Sequence, residues 1–344
     1  MSVSREIIDD VFAFRKPERV PVGVCLGGSY PFFVEGVSLQ ELLTQPPSRA
    51  AEIFYRVNER VGADFITVGT GATALLIEGL GGQIKFSPKG APEIAAPLVQ
   101  SEADIEALNI PAALQTEKMQ WLKEAAAETV KLNHQQKSLF VSGRAPFTLA
   151  GQLLGLETLS KSLYKNKTFV EKLLEFTVKL SASYFEWMLQ IDGLNGIFIA
   201  DPSASGDVVS VKHFETTVIP PLTAVMQQLA HYQKLSLIHI CGNITDRLHL
   251  IPQTGIQMVS VDSKVDLQQA KKILDGKTAL AGNVNPVTVL EDKTAEEVYW
   301  ETQQCLNIAA KDGGFMLLPG CDISAKVSEK NIKAFVNAAK EWKE

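Results

Sequence analysis

The chain has 344 residues, of which 46% are hydrophobic and 21% are charged, and its formal net charge is −6. This composition is that of a globular protein with a large buried core, so it excludes intrinsic disorder. Lysines and arginines are interspersed with acidic residues along the chain. The sequence therefore offers no basic stripe for nucleic acid and no polybasic face for a membrane surface.

The sequence also indicates the compartment. The segment Met1–Glu6 reaches acidic residues before any apolar core of signal-peptide length, and no run approaches the ~18 uncharged apolar residues of a membrane span. Four cysteines are too few for a disulfide scaffold in a chain of this length. We expect a soluble, cytoplasmic protein with reduced cysteines, in which a functional cysteine acts as a ligand or a nucleophile.

Eight short apolar runs recur along the chain, and longer stretches with helical periodicity separate them. Most runs are nearly continuous in apolar residues, which is typical of parallel strands buried on both faces. The runs are Val20–Leu26, Asp64–Gly69, Leu139–Gly143, Gly196–Asp201, Leu235–Cys241, Met258–Asp262, Ala279–Val284 and Phe315–Cys321.

The segments between these runs read as helices. Apolar residues from Leu173 to Ile191 recur at steps of three and four, and Ser328 is placed to cap a final amphipathic helix. Residues 70–138 are long for one crossover and contain Gly81-Gly82 and several prolines. This predicts an excursion over the barrel mouth, which is either a functional lid or a loop without function.

Eight strand-plus-helix units predict an α/β fold, a (β/α)8 TIM barrel, over a doubly wound open sheet of similar length. The dinucleotide-binding pattern of such sheets, G-x-G-x-x-G, does not follow the first run, which continues Cys25-Leu-Gly-Gly-Ser-Tyr30. We predict a single domain over residues 1–344, with an N-terminal helical extension.

Polar residues end five of the last runs, and in a barrel the carboxyl ends of all strands meet at one face. His239 and Cys241 are two positions apart on one strand, so their side chains point to the same face. Cys321 ends the last strand. One nitrogen and two sulfurs suit an open Zn2+ site. The alternative is two inert buried cysteines and a hydrogen-bonded core histidine.

The chain resembles the uroporphyrinogen decarboxylase superfamily, and within it the methylcobamide:coenzyme M methyltransferase branch. The similar segments run in order from near the N-terminus to the last helix. They are Lys16-Pro-Glu-Arg-Val-Pro21, Ala145-Pro-Phe-Thr-Leu-Ala150, Ala200-Asp-Pro-Ser-Ala-Ser-Gly206, His239-Ile-Cys-Gly-Asn243, Gly282-Asn-Val-Asn-Pro286, Leu318-Pro-Gly-Cys321 and Asn331-Ile-Lys-Ala334. The H-x-C segment together with the distant P-G-C segment is specific to the methyltransferases.

This resemblance implies a barrel that holds zinc through His239, Cys241 and Cys321. It also implies methyl transfer from a methylated corrinoid, usually carried on a small corrinoid protein, to a thiol such as coenzyme M through a zinc-bound thiolate. The branch often has a glutamate where this chain has Asp262, which is either a further zinc ligand or a residue near the metal. The chain also departs from the branch after Cys321, where the branch usually continues with prolines and this chain reads Asp322-Ile-Ser-Ala-Lys-Val-Ser328.

Other strand-end residues are candidates for binding the corrinoid or the acceptor. Asp201 either lines the substrate side or caps the following helix. Asn283 and Asn285 either contact a ligand or serve the turn before Pro286. Arg144 either meets an anionic acceptor or corrin carboxylates, or forms a surface ion pair.

Three rival functions remain at this stage. Uroporphyrinogen decarboxylase needs arginines after the first strand, and Gly27-Gly-Ser-Tyr-Pro31 has none. A corrinoid-binding protein with structural zinc would need a fourth protein ligand. Within the methyltransferases, the acceptor is coenzyme M, another thiol or tetrahydrofolate, or the enzyme loads methyl groups onto the corrinoid instead.

Overall fold

A computed structural model describes residues 4–24, 29–87 and 92–344. Its strands are β1 (Phe65–Val68), β2 (Ile84–Lys85), β3 (Glu93–Ile94), β4 (Ser138–Arg144), β5 (Gly196–Ala200), β6 (Leu235–Ile240), β7 (Met258–Val261), β8 (Ala279–Val284) and β9 (Phe315–Pro319). Strands β1 and β4 to β9 lie close to seven of the eight apolar runs, and each of their bounds is within two residues of the predicted one, whereas β2 and β3 correspond to no predicted run. Those seven strands form one parallel sheet in the order β1-β4-β5-β6-β7-β8-β9.

The first predicted strand closes this sheet into a barrel, although it is shorter than predicted. Val22 pairs with Leu317 of β9, and Gly23 pairs with Phe65 of β1, both in parallel. Only these two bridges of Val20–Leu26 are present, and its last two residues lie outside the described residues. Pro21 contributes to the shortening, because it has no N–H to donate to the ladder. The protein is thus a (β/α)8 barrel whose first strand is very short.

Helices surround the sheet and precede it at the N-terminus. They are α1 (Ser4–Phe12), α2 (Tyr30–Val34), α3 (Leu39–Leu42), α4 (Pro47–Val61), α5 (Ala72–Gly79), α6 (Glu102–Ala107), α7 (Ile110–Leu114), α8 (Glu117–Asn133), α9 (Pro146–Leu154), α10 (Leu156–Lys165), α11 (Lys167–Leu189), α12 (Val211–His213), α13 (Ile219–Leu229), α14 (Leu267–Leu274), α15 (Ala295–Ala309) and α16 (Glu329–Glu341). Short 3-10 helices cover Pro202–Ala204, Ala230–Tyr232 and Thr245–Thr254, and a π-helix covers Phe214–Val218.

The last helix shows how local sequence determines these boundaries. The side chain of Ser328 accepts a hydrogen bond from the backbone of Asn331, which caps α16 as predicted, and Glu329 lies in its first turn. No helix among the described residues is both long and apolar enough to span a lipid bilayer.

The barrel interior is filled from its amino end by aromatic and aliphatic side chains. Phe65 of β1 and Phe140 of β4 pack with their ring centroids 4.8 Å apart, and Phe12 of α1 packs 6.0 Å from Phe140. Helix α1 therefore covers the amino end of the barrel.

The long crossover between β1 and β4 contains α5 to α8 and the antiparallel pair β2–β3. Residues 92–97 of this crossover line a cavity at the carboxyl end of the barrel. The excursion predicted from residues 70–138 thus reaches the end of the fold where the candidate site lies. Pro88, one of the prolines behind that prediction, lies outside the described residues.

Candidate functional site

Inward-facing positions change from apolar to polar toward the carboxyl ends of the strands. On β6, the buried Leu237 is followed two residues later by His239, and two residues further on by Cys241. On β4, Phe140 is followed in the same way by Ser142 and Arg144. Because side chains two residues apart share a face of a strand, this alternation places polar groups at the barrel mouth.

His239, Cys241 and Cys321 converge at this mouth. Nε2 of His239 lies 3.4 Å from Sγ of Cys241, which in turn lies 3.9 Å from Sγ of Cys321. The three donor atoms all lie within 4.8 Å of one another, the one such group of potential metal ligands within residues 4–24, 29–87 and 92–344. His239 is 5% exposed, and both cysteines are partly buried and free of disulfide bonds.

Ser260 orients the imidazole ring of His239. The two residues are register partners on β6 and β7, and Nδ1 of His239 lies 3.1 Å from Oγ of Ser260. When Nδ1 donates its proton to this hydroxyl, Nε2 carries the lone pair that faces the two sulfurs. A hydrogen bond at the second ring nitrogen is the usual companion of a metal-binding histidine. Sequence reasoning overlooked Ser260, although aligning the two predicted strands would have paired it with His239.

A tight turn brings Cys321 to the cluster. A Cβ on Gly320 would lie 2.5 Å from the backbone nitrogen of Ser263 and 3.0 Å from the carbonyl oxygen of Asn283. Only glycine allows the end of β9 to approach the neighbouring loops so closely. The backbone N–H of Asp322 donates a hydrogen bond to Cys321.

The two thiols titrate as a pair. The pKa of Cys321 is lowered, chiefly because the thiol of Cys241 donates a hydrogen bond to its thiolate, and the nearby ring of His239 adds to the shift. The pKa of Cys241 is raised, because its proton is held in that hydrogen bond to Cys321 and because the site is buried. One proton is therefore lost readily and the second is retained. A cation between the two sulfurs would stabilise the second thiolate.

Asp262 does not belong to the group of converging donor atoms. Its carboxylate accepts hydrogen bonds from the backbone nitrogens of Gly242, at 2.9 Å, and Lys264, at 3.0 Å. Gly242 adopts a left-handed conformation with φ of 74° directly after Cys241. Asp262 thus ties the loop after β6 to the loop after β7, and its suggested role as a zinc ligand stays a prediction.

Asn283 and Asn285 make loop contacts. The amide of Asn283 donates to the backbone oxygens of Asp262 and Val265, at 3.1 and 2.9 Å. Oδ1 of Asn285 accepts from the backbone nitrogens of Val287 and Thr288, both at 2.9 Å, in the turn around Pro286. The turn alternative of the sequence analysis describes these contacts, and a ligand contact of either residue stays a prediction.

Asp201 is fully buried and caps a helix, but not the one suggested by the sequence. Its Oδ1 accepts hydrogen bonds from the backbone nitrogen and the hydroxyl of Thr148, at 3.1 and 2.6 Å, in the first turn of α9. Asp201 therefore caps α9, which follows β4, rather than the helix that follows Asp201 itself. The contact is possible because the carboxyl ends of the neighbouring strands β4 and β5 lie side by side. Burial raises the pKa of Asp201 to about 7, and its Oδ2 has no hydrogen-bond partner among the described residues.

The side chain of Arg144 is partly buried and forms no ion pair with a described residue, so the alternative of a surface ion pair was wrong. Its Nε is buried and has no hydrogen-bond partner among the described residues. Burial lowers the pKa of Arg144, and the nearby charges of Cys241, Asp322 and Asp201 oppose this shift. Because arginine stays protonated in proteins, a desolvated cation lies beside the sulfur cluster.

A cavity of about 510 Å3 opens beside Arg144 at the barrel mouth. Residues 69–74 and 92–97 form two of its walls, and Gln152 of α9 and Asp322 complete it. Burial raises the pKa of Asp322 to about 6, with a further contribution from the charge of Cys321. Sequence reasoning overlooked Gln152, because this residue lies on helix α9 and not at the end of a barrel strand. Its proximity depends on how α9 packs, which no local pattern reports.

Fold and site together describe a (β/α)8 barrel with a His/Cys/Cys group at its catalytic face. The uroporphyrinogen decarboxylase (URO-D) family model matches residues 4–342, and the chain belongs to that family. This confirms the family expected from the sequence.

Three known proteins illustrate the similarity. A methylcobamide:CoM methyltransferase, MtbA, of Methanosarcina acetivorans is 28% identical over 198 residues, 58% of this chain and 56% of that protein. A methylated-thiol–coenzyme M methyltransferase of Methanosarcina mazei is 28% identical over 204 residues, 57% of this chain and 51% of that protein. The solved structure of a methyltransferase from Methanosarcina mazei superimposes with a TM-score of 0.88 over 99% of both chains, at 22% identity.

These similarities carry different weight. At 22% sequence identity, the structural match supports the fold but carries no argument about function. The sequence alignments span just over half the length of the curated relatives. The names of those relatives therefore motivate a proposal about the activity of this chain.

Proposed function

We propose that the protein is a methyltransferase that moves a methyl group from a methylated corrinoid to a thiol such as coenzyme M. The corrinoid is carried on a small corrinoid protein, and Zn2+ is held by His239, Cys241 and Cys321. The observation that carries the proposal is the convergence of one imidazole and two thiols within 4.8 Å at the carboxyl end of the barrel. The relatives named as methylcobamide:CoM methyltransferases supply the reaction class.

The donor set fits zinc in kind and in number. Sulfur and imidazole nitrogen are preferred zinc ligands, and three protein ligands with one open position are typical of catalytic rather than structural sites. The paired titration of the cysteines supports the fit, since a divalent cation would stabilise the second thiolate. When bound, zinc would act as a Lewis acid that lowers the pKa of an incoming thiol, so that its sulfur reacts as a thiolate.

The chain itself supplies orientation and charge. Ser260 holds the ring of His239, and the backbone N–H of Asp322 donates to Cys321. The hydrogen bond between Gly242 and Asp262 holds the loop that carries Cys241. The guanidinium of Arg144 offsets part of the negative charge of the two thiolates. These contacts keep the three donors in place before any substrate enters, which is the preorganisation that catalytic sites require.

The reaction balances without a further reagent. The acceptor sulfur forms a bond to the methyl carbon while the cobalt–carbon bond breaks. The electron pair of that bond stays on cobalt, which passes from Co(III) to Co(I), and the thiol proton leaves to solvent. We also propose that the protein works in the cytoplasm. The free thiols of Cys241, Cys305 and Cys321 support a reducing compartment.

The test is an anaerobic assay of the zinc-loaded protein with free methylcobalamin and a panel of acceptors: coenzyme M, other thiols and tetrahydrofolate. We expect thiol-dependent loss of methylcobalamin with formation of Co(I), followed by absorbance, and a methyl thioether detected by mass spectrometry. Transfer to tetrahydrofolate alone would change the acceptor. No transfer to any acceptor by protein that contains one zinc per chain would contradict the proposal.

X-ray absorption distinguishes a catalytic from a structural zinc. We expect two sulfur ligands in the resting protein and a third after the acceptor thiol is added. A zinc whose ligands stay unchanged at saturating thiol would indicate the structural role instead.

A further inference from the structure

The cavity beside the sulfur cluster has an unusual charge arrangement. Among the described residues that line it, Arg144 is the one basic side chain, and Glu93 and Asp322 are the acidic ones. Glu93 is exposed, so water and salt screen its charge. The guanidinium of Arg144 is partly buried, and its influence reaches Cys241 and Cys321. Asp322 also lines the cavity, directly after Cys321, so Arg144 is the one positively charged side chain on the described wall to which an anion could bind.

Two buried polar atoms at this cavity lack partners among the described residues. They are Nε of Arg144 and Oε1 of Gln152. Buried polar atoms are nearly always hydrogen-bonded, so two orphaned atoms beside one cavity indicate that a ligand or water completes them. A primary amide can also present its NH2 group, so Gln152 is able to donate to the same ligand as Arg144.

The N-terminus of α5 faces the same space. Its first residues Ala72, Thr73 and Ala74 line the cavity, and no side chain caps this helix. Gly71 precedes the helix with φ of 83°, in a left-handed conformation. The positive end of the helix dipole thus adds to the charge of Arg144.

We propose that this cavity binds the anionic end of the methyl acceptor, a short thiol bearing a sulfonate or a carboxylate, on the guanidinium of Arg144. The thiol end of the same molecule then faces the sulfur cluster, because Asp322 lines the cavity directly after Cys321. Arg144 is the residue that selects an anionic acceptor over a neutral thiol of similar length. This inference rests on the proposed function for the identity of the ligand, but not for the existence of the anion site.

Direct binding tests the anion site without any turnover. Ethanesulfonate and propionate, which have no thiol, are titrated by calorimetry into the wild-type protein and into Arg144→Gln, Arg144→Lys and Arg49→Gln. Arg49 is an exposed arginine paired with Glu52, so its variant is the matched control. We expect binding to the wild type and to the control, and weakening by about 10- to 100-fold in Arg144→Gln, as for loss of a charged hydrogen bond. The stronger of the two anions identifies the acceptor's end group.

Kinetics with paired acceptors test the selection. The pairs are 2-mercaptoethanesulfonate or 3-mercaptopropionate against 2-mercaptoethanol. We expect Arg144→Gln to raise KM for the anionic thiols by about 10- to 100-fold more than it raises KM for 2-mercaptoethanol, while any change in kcat is shared by both kinds of thiol. Arg144→Lys retains a charge and is expected to recover part of the loss.

Three outcomes would overturn the inference. Equal losses for anionic and neutral thiols would give Arg144 a structural role. A raised KM for methylcobalamin alone would assign Arg144 to the corrinoid. Undiminished binding of both anions to Arg144→Gln would remove the site. If the wild type methylates no thiol yet binds ethanesulfonate through Arg144, the proposed function fails and the anion site stands.

Discussion

Arg19 and Arg144 lie at opposite ends of the barrel and have opposite surroundings. At the amino end, both terminal nitrogens of Arg19 donate to the carboxylate of Asp64, each at 2.6 Å, and the side chain of Asp64 is 2% exposed. The hydrogen bonds to Asp64 raise the pKa of Arg19. At the carboxyl end, Arg144 has no carboxylate partner for its orphaned Nε, and burial lowers its pKa.

This difference indicates that the two ends of the barrel have different roles. At the amino end, the bidentate ion pair of Arg19 and Asp64 joins the short first strand to β1. Asp64 strengthens this link because it also accepts a hydrogen bond from the backbone nitrogen of Val22 at 3.0 Å. An unpaired cation at the open end contributes nothing comparable to folding. Polar groups that a protein leaves unsatisfied are expected at ligand sites. The amino end therefore serves stability, and the carboxyl end serves function, as in other barrels of this kind.

The largest effect is expected at the sulfur cluster. Cys241→Ala or Cys321→Ala should remove bound zinc and transfer activity together while the far-UV circular dichroism stays that of the wild type, because each cysteine contributes to the site and not to the core. Metal content by mass spectrometry and the methylcobalamin assay measure the two losses. Cys305→Ala is the control, since Cys305 lies buried between α15 and β8 and should keep the metal. Full activity of a metal-free cysteine variant would contradict the mechanism.

Arg19→Ala should show the stability role of the amino end. Loss of Arg19 leaves the buried carboxylate of Asp64 without its partner, and we expect the free energy of unfolding to fall by roughly 3 kcal/mol. Urea denaturation measures the change, with Arg49→Ala as an exposed control that should change it by less than about 0.5 kcal/mol. Zinc content and KM should stay those of the wild type under native conditions. An unchanged denaturation midpoint would remove the contrast between the two ends.

Ser260→Ala should weaken the metal site without emptying it. The variant removes the hydroxyl that lies 3.1 Å from Nδ1 of His239, and loss of such a partner typically lowers metal affinity by about 10- to 100-fold. Competition with a chromogenic chelator measures the zinc affinity. Ser236→Ala, near the start of β6, which also carries His239, removes a serine that bonds Gln257 and should leave the affinity unchanged. Equal zinc affinity in both variants would mean that Ser260 does not orient the histidine.

The smallest effect is expected for the stability of Arg144→Gln. Because the guanidinium pairs with no carboxylate in the part of the chain that the structure describes, the free energy of unfolding should stay within about 1 kcal/mol of wild type or rise slightly. Urea denaturation at constant zinc content measures it alongside Arg19→Ala. A loss as large as that of Arg19→Ala would show that Arg144 stabilises the fold, and the contrast between the two arginines would fail.

The barrel strands could be predicted from sequence because they are buried on both faces. Gly196–Asp201 was predicted and Gly196–Ala200 is observed, and Met258–Asp262 corresponds to Met258–Val261. Continuous apolar runs report this burial directly. The first strand was predicted too long. Hydrophobicity does not reveal that, of the described residues of this run, Val22 and Gly23 are the ones that form bridges to the neighbouring strands.

The cluster could be anticipated where local geometry sufficed. His239 and Cys241 share a strand face, which the sequence spacing determines. The partners of Asp201 and Arg144 could not be found in this way. Asp201 bonds Thr148, 53 residues earlier in the chain, and the isolation of Arg144 depends on which carboxylates the surrounding loops bring near.

By itself, the sequence determined the fold class, the family and the three donor residues, because burial pattern, strand periodicity and short motifs are properties of neighbouring residues. Tertiary structure alone decided the rest: the very short first strand, the hydroxyl behind His239, the cap on α9 and the unpaired guanidinium at the mouth. These depend on contacts between segments that are distant in the chain, and such contacts are fixed only when the barrel closes and sets which strand ends lie side by side.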